Sequence, residues 1–153
     1  MAKLISCSVL TEENFKPYGT VIRRPQREGD VERDYLSWWG GLYDLDFNDT
    51  ASMGILSIKR RPFIVDQLER HMKAVEIFVP LRGVSIMPFA DPKDITKCET
   101  FIIDGSVSII IDKGVWHFPP FPVTEEMEFM LTVRKETADD LEIRDVPGMY
   151  IQL

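Results

Sequence analysis

Apolar and polar positions alternate with a period of two along much of the chain, most densely from Met53 to Arg134. That period is the mark of strands with one face in a core. It predicts strands over 53–59, 69–71, 74–81, 84–88, 99–103, 106–111 and 127–134, with turn residues between nearly every pair. Ahead of them, Thr11 with Glu13 and Asn14 reads as a helix start, and Pro17 limits that helix to about one turn. The stretch 18–22 reads as a short strand, 23–31 as an exposed loop and 35–45 as strand-like. Trp38 and Trp39 fall on opposite faces of that last stretch, so at least one indole is expected in the core. Residues 64–70, after Pro62, form the one stretch whose apolar spacing also suits a short helix. Strands this short and closely spaced leave no room for helical crossovers, which predicts an all-β, antiparallel roll with a few short helices.

Composition narrows what such a roll does. The 153 residues are 44% hydrophobic, enough for one sizeable core, and suit a single domain over 1–153. Against 25 Asp and Glu stand 18 Lys and Arg, giving a scattered net charge of −7. Without a basic patch, neither nucleic acid nor an anionic membrane is an expected partner, whereas a small molecule is. The longest apolar run, near 107–111, falls far short of the roughly 20 residues that cross a bilayer. The segment from Met1 to Cys7 turns polar within a few residues and lacks the apolar centre of an export signal, so a cytoplasmic location is expected. Cys7 and Cys98 are far apart and outside any CxxC pair, which predicts reduced thiols rather than a disulfide or thiolate zinc site. No nucleotide cofactor is expected.

The only two histidines, His71 and His117, carry the candidate chemistry. Glu69 and His71 are two residues apart, so on one strand their side chains share a face, two strand rises from each other. Glu76 lies five residues beyond His71, and a bend or bulge at Met72-Lys73-Ala74 would return it to the same lumen from the next strand. His117 follows Asp112-Lys113-Gly114-Val115-Trp116, a turn out of the apolar run, and in a small roll its strand is a plausible neighbour of the first site. Two imidazoles and two carboxylates form a mixed nitrogen and oxygen donor set suited to Mn, Fe, Ni, Co or Zn, with a position open for substrate. A single histidine is more often packed and satisfied than a ligand. The spacing Glu-x-His-x4-Glu-x6-Gly followed by Gly-x2-His is what points to a site.

That spacing resembles the cupin superfamily, whose motifs are His-x-His-x(3,4)-Glu-x6-Gly and Pro-x-Gly-x2-His, with Glu69 here in place of the first histidine. More closely, Leu68-Glu69-Arg70-His71, Phe78-Val79-Pro80-Leu81-Arg82-Gly83 and Gly114-Val115-Trp116-His117-Phe118-Pro119 resemble the ureidoglycolate lyase family. So do Phe15-Lys16-Pro17-Tyr18-Gly19-Thr20-Val21-Ile22 and Ser57-Ile58-Lys59-Arg60-Arg61-Pro62. The resemblance runs from about Leu10 to Arg134. It implies a cupin-like double-stranded β-roll, or jelly roll, that works in the cytoplasm as a homodimer. The implied reaction cleaves ureidoglycolate into glyoxylate and urea, within allantoin degradation and purine metabolism. Asp112 and Phe118 stand where members commonly carry histidines, and Glu76 where they often carry a neutral residue.

Ureidoglycolate is a carbinolamide, so its hydroxyl proton must leave while the urea nitrogen departs with a proton. That requires an acid–base group near neutrality, a role open to His71, His117, Glu76 or Glu69. A divalent ion such as Ni, Mn, Zn or Fe, ligated by Glu69, His71, Glu76 and His117, would chelate the substrate. Lys59, Arg60, Arg61, Arg82 and Lys113 are candidates for its carboxylate, the resemblance favouring Lys59 and Arg82, with Trp116 as a pocket wall. The aromatic stretch 35–43 is the candidate dimer surface, and Glu125-Glu126-Met127-Glu128 is expected at an exposed edge. Two rival readings are a cupin isomerase or epimerase of sugar acids or small keto acids, and a non-catalytic ligand-binding cupin. Urea release separates the first reading from both.

Overall fold

The computed structural model describes residues 3–153. Met1 and Ala2, which open the segment read as too polar for an export signal, lie outside the described residues. In chain order the elements are β1 (Lys3–Val9), α1 (Glu12–Phe15), β2 (Gly19–Ile22), β3 (Val31–Arg33), β4 (Leu36–Trp38), β5 (Ala51–Lys59), β6 (Ile64–Arg70) and β7 (Glu76–Arg82). There follow β8 (Ser85–Asp91), β9 (Asp94–Ile103), β10 (Ser108–Ile111), β11 (Trp116–His117), β12 (Phe121–Pro122), β13 (Glu126–Arg134) and β14 (Glu142–Gln152). A 3-10 turn at Thr137–Asp140 precedes β14. Among the described residues no helix is long and apolar enough to cross a membrane.

A seven-stranded sheet runs β11-β6-β14-β1-β9-β8-β12, and β11 pairs with β8 as well as β6, so the sheet closes into a ring. A five-stranded sheet runs β2-β10-β7-β13-β5, and β3 with β4 forms a separate hairpin. This is the all-β, cupin-like architecture expected. The antiparallel expectation needs one correction: β1 runs parallel to both of its neighbours, β14 and β9.

The core follows from strands buried on both faces. In β8, Met87 and Phe89 join Phe78, Phe101, Ile109 and Phe129 in a cluster drawn from both sheets. The alternate residues Ile86 and Ala90 join Val65, Leu68, Trp116 and Phe121 in a second cluster, drawn from the ring. In β10, Ile109 and Ile111 enter the first cluster while Ile110 packs the other way with Phe47, Ala74 and Ile77. A continuous apolar run is thereby a strand rather than a helix. Helix α1 is set by a capping box: the Asn14 N–H donates to the Thr11 hydroxyl, and the Thr11 N–H donates to the Asn14 side chain. Its last residue, Phe15, is fully buried and meets Phe89 edge-on at 5.0 Å.

Three expectations are corrected. Residues Ile64–Arg70 form β6, not a helix. Val65 and Leu68, three apart, are both buried in the ring cluster, and the register of the partner β14 shifts between Asp145 and Met149, opposite this stretch. That irregularity breaks the strict period of two and imitates helical spacing. Of 35–45 only Leu36–Trp38 is strand, and neither indole reaches the core. Trp38 is 58% exposed, while half-buried Trp39 donates from Nε1 to the carbonyls of Arg27 and Glu28 beneath the Arg24 guanidinium. The acidic run does not lie at an edge, because β13 sits between β7 and β5, and Arg82 pairs with Glu126 and Glu128.

Candidate metal and catalytic centre

The two histidines and two glutamates converge where the sheets meet. Glu69 stands near the end of β6 and pairs in register with His117 of β11. Glu76 opens β7 in the other sheet, and His71 lies just past β6 on the connection between them. The chain bends at Met72 and Lys73, as expected, and turns Glu76 back toward His71. His71 Nε2 is 3.5 Å from Glu76 Oε1. His117 Nε2 is 3.1 Å from Glu76 Oε2 and 3.8 Å from Glu69 Oε1.

Local sequence explains these placements. Strand β11 has two residues, so alternation sends Trp116 into the ring cluster and His117 to the opposite face. Trp116 is 1% exposed, with the guanidinium groups of Arg70 and Arg144 at 4.4 and 5.1 Å from its ring. Behind His71, Gly114 takes φ +75°, and its N–H donates to the His71 carbonyl at 2.7 Å. A side chain there would be strained, and its Cβ would lie 3.2 Å from Met72 Sδ.

The hydrogen bonds fix which ring nitrogens face the cluster. His71 Nδ1 lies 2.9 Å from the Asp140 carbonyl, and His117 Nδ1 lies 3.0 Å from the Val115 carbonyl. A carbonyl only accepts, so each Nδ1 carries the hydrogen and each neutral ring turns a bare Nε2 lone pair inward. Metal-ligating histidines are held in this way. Buried Glu76 Oε2 has no hydrogen aligned with it despite lying 3.1 Å from His117 Nε2. Glu69, His71 and His117 also bring one ligand atom each within 4.8 Å of one another. An orphaned carboxylate oxygen, two bare imidazole nitrogens and a second carboxylate together fit a divalent cation.

The charges shift one another. Burial raises the Glu69 carboxyl above its usual range and outweighs the opposing pull of His117. Burial acts upward on Glu76 too, but close contact with His117 and the charges of both imidazoles hold it below the usual range. For His117, burial disfavours the charged ring, yet contact with Glu76 and the charge of Glu69 raise it overall.

A cleft of about 360 Å³ opens on this cluster, with Glu69, His71 and Glu76 on one side and Ile55, Leu131 and Leu141 among its apolar walls. The other predicted contacts lie elsewhere. Arg82 ends β7, about 20 Å along the strand from Glu76, where Glu126 and Glu128 satisfy it. Lys59 and Arg60 line a separate surface cleft beside Glu125 and Glu126. Arg61 donates to the Pro119 and Pro120 carbonyls, both at 2.7 Å, and lies over the Phe121 ring. Lys113 is exposed on the turn behind His71, and Trp116 is a core residue. Phe118, at a family histidine position, packs on Phe121. A larger cleft, about 550 Å³, lies by Lys16, Arg23 and Arg27 and includes none of the cluster. Sequence reasoning missed the turn Thr137–Asp140, which supplies the carbonyl that holds His71. Its residues are mostly polar and carry no motif, and a backbone acceptor leaves no side-chain signature.

Comparison with known proteins agrees with the motifs. Residues 2–150 match the profile of the family described as ureidoglycolate lyase. The chain is 30% identical to a ureidoglycolate lyase of Salmonella paratyphi B (strain ATCC BAA-1250 / SPB7) over 154 aligned positions, covering 90% of this chain and 91% of that one. It is 29% identical to one of Escherichia coli O9:H4 (strain HS) over the same shares. With a match over nearly its whole length and the motif histidines and glutamates gathered in one cluster, the chain belongs to the ureidoglycolate lyase family.

Proposed function

We propose that the protein is a carbon–nitrogen lyase that releases urea and glyoxylate from ureidoglycolate, using one cupin-like domain over 1–153. The observation that carries this reading is the convergence of His71, His117, Glu69 and Glu76 in one cluster, three of them lining a cleft, in a chain of this family. His71, His117 and Glu76 would hold a divalent ion, with Glu69 beside it as base instead of ligand; when bound, the ion would lower the pKa of the substrate hydroxyl and hold charge on oxygen. Glu69 moves the proton. Its carboxyl is raised by burial, and of the two carboxylates it is the more open to solvent, at 22% side-chain exposure against 9% for Glu76. A base poised nearer neutrality takes the hydroxyl proton as the carbonyl forms and returns it to the departing urea nitrogen. Glu76 stays ionised and keeps the two imidazoles in place.

The same reading makes the protein a cytoplasmic enzyme with a small-molecule substrate and, through the exposed 35–43 stretch, a homodimer. Tyr35 is 83% exposed there. A monomer by light scattering at micromolar concentration would remove the dimer. The function is tested by adding ureidoglycolate to protein supplied with Mn, Ni or Zn. Urea and glyoxylate in equal amounts, abolished by His117→Ala, are expected. Turnover of keto sugars without urea release would replace this reading with the isomerase.

A further inference from the structure

The geometry points to Arg134 as a positioning residue that acts on the catalytic centre through the turn Thr137–Asp140. Arg134, the last residue of β13, is a buried cation at 7% exposure and touches no member of the cluster. Its Nη2 donates to the Glu136 carbonyl at 2.6 Å and pairs with the Asp139 carboxylate. Its Nη1 lies 3.6 Å from Asp49, in the loop before β5. The turn has no side-chain N-cap of its own, and none of its residues is buried. Such a short 3-10 turn has little intrinsic stability. The buried guanidinium therefore anchors it from β13, while exposed Lys73 Nζ lies 3.6 Å from the same Asp139 carboxylate.

The far end of the turn is fastened once to His71 and once to Lys73, two residues further on. The Asp140 carbonyl accepts from His71 Nδ1 at 2.9 Å, and the Asp140 carboxylate accepts from the Lys73 N–H at 2.7 Å. Thr137 Oγ1 lies 3.3 Å from the same Nδ1. The line of contacts runs from Arg134 through Glu136 and Asp139 to Asp140 and then to His71. Its effect is to keep the hydrogen on Nδ1, and so keep Nε2 bare and aimed at Glu76. His117 has no part in it, because its Nδ1 bonds to Val115 on its own turn. Partners that fix a ligand's tautomer typically change metal affinity by about 10- to 100-fold.

The inference deepens the reading above, but its test needs no substrate. Protein labelled with ¹⁵N-histidine gives ring signals for two residues, and the nitrogen shifts report which nitrogen of each is protonated. At alkaline pH without metal, wild type is expected to show the Nδ1–H form for both rings. Arg134→Met and Asp139→Asn are expected to convert His71 to a mixture of tautomers, leave His117 unchanged and weaken Zn binding about 10- to 100-fold. Arg134→Lys, which keeps the charge and part of the contact, is expected to lie between. If Arg134→Met does not fold, exposed Asp139→Asn and Arg134→Lys decide. Unchanged His71 signals and Zn affinity in a folded variant overturn the proposal, as does an equal change at both histidines. Wild type that shows both Nδ1–H rings yet no urea release would overturn the lyase reading alone.

Discussion

The Glu76 carboxylate stands 3.1 Å from His117 Nε2 with no hydrogen aligned between them, because the ring directs its Nδ1–H to the Val115 carbonyl 3.0 Å away. The contact is completed either by a second proton on the ring or by a cation. Which of the two is present sets how the protein responds to pH.

In chelator, the proton completes it. His117 is raised above its ordinary 6.5, so its contribution is full below 6.5 and is lost as pH rises through the raised value. Glu76 is lowered below its ordinary 4.5, so its contribution is present above 4.5 and is lost as pH falls through the lowered value. The Tm of chelated protein is expected to peak between those limits. Zn or Mn should lift the alkaline limb most, since there the ion meets no competing proton. Parallel Tm curves with and without ion across pH would contradict this.

Glu69 and Glu76 are expected to separate binding from chemistry. Glu69→Gln keeps an oxygen donor but loses the base, so about one equivalent of metal should remain while kcat falls roughly 100- to 10,000-fold. His117→Ala and His71→Ala should lose metal and activity together. Metal analysis beside single-turnover kinetics reads both, and full activity in Glu69→Gln would assign the proton to another group.

The turn behind His71 needs a glycine. Gly114→Ala places a side chain at φ +75° close to Met72, at a cost of about 1–2 kcal/mol, and disturbs the N–H that holds the His71 carbonyl. Gly105→Ala, with open space around its Cβ, is the control and should be close to neutral. Equal denaturation midpoints for the two variants would refute the strain.

Phe129 belongs to the cluster drawn from both sheets and has no exposed surface. Phe129→Ala should cost about 3–5 kcal/mol in urea unfolding. Trp38→Ala, on the exposed hairpin, should change stability by no more than about 0.5 kcal/mol. A larger loss at Trp38 would mean that its indole is covered in solution.

The strands legible in the sequence were those whose faces differ, such as β13, where Met127 and Phe129 are buried and their neighbours are not. Strands β1 and β14 escaped notice because β1 buries little beyond Ile5, and Pro147-Gly148 interrupts β14 at its register shift. The four cluster residues could be read because scarcity and spacing single out side chains. The substrate-contact assignments for Lys59 and Arg82 could not be checked by spacing. Lys59 ends one predicted strand and Arg82 directly follows another, and only the pairing of β13 with β5 and β7 places the acidic run beside them. The hold of Asp140 on His71 runs through a backbone atom and depends on the chain returning after β13.

The two-residue strand β11 joins β6 to β8, and His117 reaches Glu69 only when that join forms. The ring also requires β1 to settle between β9 and β14, pairings that link distant parts of the chain. Pairings across such separations form slowly. The complete set of ligands therefore belongs to the end of folding. An ion that binds only there leaves the refolding rate as it was and slows unfolding instead, so it protects the protein kinetically once assembled.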